Sequence, residues 1–159
     1  MMKRFATEGM IAGTIGATVM AAWFLVYDLA HGQPFRTPAL LGAVLFQGLR
    51  DLGSLRITGS LVLEYSLVHW AAFMLFGCTA AALLAAADQD PRLLAGLLVF
   101  FCCFEVMALA LIALLGEWLF EALPQWSIVI GNLLSAVAML SVFFRRHRVA
   151  WLEFILADE

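Results

Sequence analysis

Five side chains in this sequence carry polar chemistry inside or at the edge of long apolar runs: Asp28, Tyr65, His69, Glu105 and Asn132. Glu105 is the strongest signal, set within FFCCFEVMALALIALL. On insertion scales a central acid costs about 2.5–3.5 kcal/mol, so it must be neutral, paired or reached by water. His69 is its obvious partner, with Tyr65 one turn back on the same helix face. An imidazole–carboxyl pair open to one side is what a proton site or a small-ligand pocket requires. Asp28 closes the first apolar run, with His31 three residues on and able to share a hydrogen bond. It either ends that helix in headgroup water or caps the following turn, or it lines a site. Gln125, Asn132 and Ser135 share one face of the last apolar run. Glu64 lies roughly 140° round the helix from His69, so those two do not act from one face. The plainer alternative is that these groups bond one another and fix helix register.

Other chemistries find little footing. No Glu-x-x-His or similar ligand pair brings Asp28, His69 and Glu105 into a metal set, and a bis-histidine haem would need His31 with His69. Neither metal nor cofactor is expected. Cys78, Cys102 and Cys103 all fall within apolar segments without a CxxC spacing and read as small buried hydrophobes. No Ser/His/Asp order, phosphate loop or zinc motif is present, so no catalytic residue is assigned and the reading leans away from an enzyme. A net charge of −3 leaves no footprint for nucleic acid.

The elements that must position these groups are membrane spans. Of 159 residues, 64% are hydrophobic and 13% charged, against about half and a quarter in soluble domains. Such an excess calls for lipid around the helices. No charge interrupts Gly9 to Tyr27, 19 positions, enough to cross a hydrocarbon core of about 30 Å at about 1.5 Å per residue. Gly9, Gly13, Ala17 and Ala21 recur every four residues, a small-residue face that admits close approach of another helix. Asp28 lies on a stripe with Phe24, Ala21, Ala17, Thr14 and Met10, which aims it into protein rather than lipid. Lys3 and Arg4 resemble a signal-peptide n-region, but the run is too long and no A-x-A site follows, so it reads as a retained first span.

Gly32-Gln33-Pro34 breaks the first helix. Thr37-Pro38 reads as N-cap and first residue of a short helix over 38–49. That segment is too short to span, so it lies on the surface, re-enters, or covers the bundle end. The sequence predicts an all-α integral membrane four-helix bundle, one domain over 1–159. Its spans are near 9–30, 60–87, 92–115 and 125–144, with 116–124 an acidic loop. A tail over 149–159 is amphipathic and suits the membrane surface.

Charge places the chain. Lys3, Arg4, Arg92, Arg145, Arg146 and Arg148 fall on one side of four spans, and Arg36, Arg50 and Arg56 on the other, which favours both termini in the cytoplasm. With that topology Glu105 sits near the midplane, Asn132 and His69 roughly 5–6 Å outward, and Asp28 and Glu64 roughly 12 Å outward. The polar groups thus gather in the middle and outer half, and the cytoplasmic half is almost purely apolar.

The opening GMIAGTIGATVMAAWFLVYDLAHGQPFRTPALLGAVLF resembles a group of small bacterial inner-membrane proteins of uncharacterised function. In these, a Gly/Ala-rich first helix runs into a D-x-x-x-G-x-P-x-x-T-P-x-x-L-G segment. The likeness covers about the first 46 residues and the four-span layout. It implies a bacterial inner-membrane location and importance for Asp28, Gly32, Pro34, Thr37, Pro38 and Gly42, and it implies no activity. The expected partners are the lipid bilayer and a larger membrane complex or a second copy, met through the Gly9/Gly13/Ala17/Ala21 face. The leading expectation is a non-enzymatic accessory subunit or small-ligand-binding bundle with its polar site in the outer half. The alternative is a small proton-coupled carrier or channel using Glu105, His69 and Asp28.

Overall fold

The computed structural model describes residues 2–87, 90, 93–116 and 118–146. The expected tail at 149–159, with Trp151, Arg92, Glu117 and Arg148, lies outside them. Among the described residues every regular element is helical: α1 (Met2–Ala30), α2 (Arg36–Gln47), α3 (Gly59–Ala87), α4 (Leu93–Leu115), α5 (Leu119–Ala122) and α6 (Gln125–Arg146), with one 3-10 turn at Leu52–Ser54 between α2 and α3. Four of these are long and apolar enough to cross a membrane, within Ala6–Ala30, Gly59–Ala87, Leu93–Leu115 and Gln125–Arg145. The protein is a multi-pass membrane helix bundle.

Backbone contact between α1 and α3 organises it. A Cβ added to Gly9 would lie 2.6 Å from the Cys78 nitrogen, one on Gly13 2.7 Å from the Met74 Cα, and one on Gly77 2.8 Å from the Gly13 nitrogen. No side chain fits there, which is the purpose of a small-residue face in lipid. Ala12 and Ala17 on the same stretch are fully buried. The face that could pack within the bundle or against another subunit is occupied, over Gly9, Gly13 and Ala17, by this chain's own α3. The second neighbour of α1 is α6, where the Trp23 indole donates to the Ser127 carbonyl at 2.8 Å.

Two apolar cores stack along the bundle. The first holds Phe73, Phe76, Leu84, Leu94, Leu97, Met139 and Phe143. The α3–α4 seam is aromatic, with Phe76 stacked on Phe100 at 4.5 Å and tilted against Phe104 at 4.1 Å. The second, at the end where α2 lies, holds Phe24, Leu40, Val44, Leu119, Leu123 and Ile128. Here α2 covers the bundle end, one of the three placements its length allowed. It lies against the start of α3, with Gly42 facing the Leu61 carbonyl.

Between 116 and 124, expected as a loop, the chain makes the one-turn helix α5, and Leu119 and Leu123 plug the core. Burial of two leucines outweighs the acidic look of that stretch.

The junction from α1 to α2 is built tightly. Gly32, at φ 69°, takes the left-handed conformation that ends a helix. Its N–H donates to the Leu29 carbonyl, and the Gln33 N–H reaches back to the Asp28 carbonyl, both at 3.0 Å. This pair of bonds is the Schellman closure of α1. Two residues later α2 begins at Arg36, after Phe35.

Candidate functional site

Past the glycine crossing, α1 and α3 part toward the α2 end. The gap is a groove of about 340 Å³, at the small end of the roughly 300–1,000 Å³ typical of ligand pockets. Its walls are Met20, Ala21, Phe24 and Leu25 of α1, Val62, Tyr65, Ser66, His69 and Trp70 of α3, and Phe35, Thr37 and Pro38 from the start of α2. The lining is apolar except for a few groups, chief among them Asp28, Tyr65 and His69.

Asp28 is 2% exposed. Its carboxylate accepts the Thr37 backbone N–H at 2.8 Å and the Thr37 hydroxyl at 2.7 Å. An acid at the first turn of a helix satisfies an orphan amide and meets the positive end of the dipole. Asp28 therefore ties the end of α1 to the start of α2, the capping role weighed for it above, and it sits at the groove wall while doing so. The hydroxyl of Thr37 faces backward to this acid rather than capping α2. The residue at the cap position is Phe35, in the left-handed conformation at φ 63° with no side-chain cap. For a bulky residue that conformation is strained. The clamp on Thr37 holds it and leaves the Phe35 ring at the groove.

His69 comes from the first half of α3. Its Nε2 lies 3.2 Å from the Ala17 carbonyl. A carbonyl only accepts, so Nε2 carries the proton and neutral His69 is the Nε2–H tautomer. Nδ1 is neither shielded nor hydrogen-bonded within the described residues. Tyr65 stacks on the imidazole at 5.8 Å, and Phe73 closes the other side at 4.8 Å. Ser66 and Thr18 spend their hydroxyl protons on the Val62 and Thr14 carbonyls. Those two oxygens can still accept, and the Tyr65 phenol is the only groove hydroxyl with an uncommitted proton.

Glu105 and Asn132 belong to a different place. They line a second cavity of about 480 Å³ between α3, α4 and α6, with Phe73, Phe76, Phe101, Phe104 and Met139. The two side chains lie close enough for the Asn132 amide to act on the Glu105 carboxyl, but Glu105 Oε1 and Asn132 Nδ2 are shielded and make no well-formed hydrogen bond. His69, expected to pair with Glu105, is turned to Ala17 on α1 instead. Phe73, 5% exposed, touches His69 on one side and lines the Glu105 cavity on the other. Thus Asp28, Tyr65 and His69 share one groove, and Glu105 and Asn132 share another cavity. The His31 side chain does not bond the Asp28 carboxylate: its Nδ1 is 2.8 Å from the Tyr27 carbonyl and its ring lies 4.4 Å from that of Tyr27. Glu64 is exposed.

Thr37, Ser66, Trp70 and Phe35 are groove residues the sequence reading did not assign to a site. The first signal for them is spacing, since Val62, Tyr65, Ser66 and His69 fall at i, i+3, i+4 and i+7, one helical stripe. Among the described residues no three His, Cys, Asp or Glu side chains gather to hold a metal ion. Comparison with protein-family models, curated proteins and solved structures finds no match to this chain.

Proposed function

We propose that this protein is a non-enzymatic binder of a small single-chain amphiphile, held in the α1–α2–α3 groove. The observation that carries the proposal is the groove itself, apolar along its length, with the open nitrogen of His69 and the Tyr65 phenol set beside it. An apolar tail lies along Met20, Leu25 and Val62, and the polar end meets Tyr65 and His69 in the first half of α3. With both termini cytoplasmic, as the distribution of Lys and Arg favours, the groove lies in the outer half of a bacterial inner membrane. A carrier that passes a proton among Asp28, His69 and Glu105 has less support. Asp28 is committed to Thr37, and Phe73 stands between the other two.

The test is photolabelling in nanodiscs with a diazirine-labelled monoacylglycerol. Saturable adducts on α1 between Thr18 and Leu25 and on α3 between Val62 and Trp70 are expected. Ala21→Phe, which fills the groove, should abolish them. Labelling that does not saturate, or that spreads equally over the exposed Leu111 and Leu114 of α4, would refute the reading.

A further inference from the structure

The hydrogen bond that fixes His69 also says what kind of head the groove takes. Because Nε2–H is spent on the Ala17 carbonyl and His69 lines the groove, the imidazole nitrogen left for a ligand is Nδ1, with a bare lone pair. A lone pair recognises a donor. One turn back, the stacked Tyr65 has a phenolic O–H whose proton no other group in the described residues takes. The two neighbours therefore offer one acceptor and one donor. A single hydroxyl satisfies both, giving its proton to His69 Nδ1 and accepting from Tyr65. An ether or ester head satisfies only Tyr65. A carboxylate presents a second negative-side lone pair to Nδ1 and is repelled unless the ring gains a proton. No lysine or arginine lines the groove to hold such an anion: apart from His69 itself and the Trp70 indole, its lining residues are apolar, hydroxyl-bearing or, at Asp28, acidic.

We infer that the groove selects amphiphiles whose head is a neutral hydroxyl, the class of long-chain alcohols and glycerides, through His69 Nδ1 as acceptor and Tyr65 as donor. This rests on the groove reading above and adds the head chemistry to it.

The experiment competes 1-hexadecanol, its methyl ether and palmitate against the diazirine-labelled monoacylglycerol on the full chain in nanodiscs. ¹⁵N-histidine spectra of the same samples are read for the His69 ring. Loss of one hydrogen bond corresponds to about tenfold in affinity, so hexadecanol should compete about tenfold better than the ether. The His69 Nδ1 resonance should move with hexadecanol alone, and His69→Phe should erase the preference. If alcohol and ether compete equally and Nδ1 stays still, the hydroxyl inference falls while the groove reading survives. If palmitate wins with both ring nitrogens protonated, the head is an anion and the inference is overturned. If the probe itself never labels the groove saturably, the groove reading fails first. The wild-type spectra decide the matter even where His69→Phe does not fold.

Discussion

Replacing Asp28 by alanine tests how the groove is held open. The carboxylate receives two hydrogen bonds from Thr37, which is itself 3% exposed. Hydrogen bonds to a charged group contribute about 1.5–3 kcal/mol each, and removing the acceptor strands two buried donors. Water from the interface relieves part of that penalty, so the low end applies to each bond and Asp28→Ala should cost about 3 kcal/mol. Asp28→Asn keeps one acceptor oxygen and should cost about half. Thr37→Val removes the hydroxyl but not the amide and should also cost about 1.5 kcal/mol. The assay is reversible unfolding in mixed micelles for the two single variants, Asp28→Ala and Thr37→Val, and their double. Thr37→Val should cost almost nothing once Asp28 is alanine, a coupling of about 1.5 kcal/mol. Hydrogen exchange gives an independent reading. Thr37 N–H is held by the Asp28 side chain, so its exchange should rise on the order of a hundredfold in Asp28→Ala. Additive costs would refute the clamp. So would an Asp28→Ala variant within about 0.5 kcal/mol of wild type that has lost amphiphile labelling, because that would make Asp28 a ligand-binding acid.

Two other perturbations follow from packing. Gly13→Leu forces a side chain into the backbone of Phe73 and Met74 and should cost at least about 1–3 kcal/mol, seen as loss of the folded fraction in detergent. The control is Gly96→Leu on α4, where nothing lies within 4 Å of an added Cβ, and it should unfold like wild type. At the second cavity, Asn132→Leu exchanges a shielded, unbonded amide nitrogen for methyl groups of similar volume. It should be neutral or stabilising by about 1 kcal/mol. A loss above about 2 kcal/mol would mean that Asn132 makes a bond essential to the α4–α6 seam.

The four spans were legible because the lipid requirement is written in run length, and the long helices begin and end within two residues of where the apolar runs and the glycine and proline breaks place them, except that α1 starts at Met2, seven residues before its uncharged run opens at Gly9. The start of α2 was less so. Thr37-Pro38 satisfies every local rule for a helix N-terminus, yet the helix starts at Arg36. The acceptor that makes this possible is a side chain nine residues upstream, and a capping rule read over three or four residues does not reach it. The helical turn α5 was hidden for a related reason. Leu119 and Leu123 look like loop leucines between acids until a core exists for them to plug.

The polar residues show what depth alone leaves out. Counting residues along spans put His69 and Glu105 at similar heights, and height suggested a pair. Height is one coordinate of a bundle; the rotation of each helix is the other. On α3 that rotation is fixed by Gly77, which faces α1 because no other orientation lets the backbones meet. His69, eight residues before Gly77, lies on the same side of the helix to within about 80° and meets the Ala17 carbonyl. On α4 the rotation is fixed by the packing of Phe100, stacked, and Phe104, tilted, against Phe76. Glu105, one residue past Phe104, is carried about 100° off that contact and toward Asn132 of α6. The glycines and phenylalanines thus decide which polar groups meet, and Phe73 between the two cavities is the point at which the two rotations diverge.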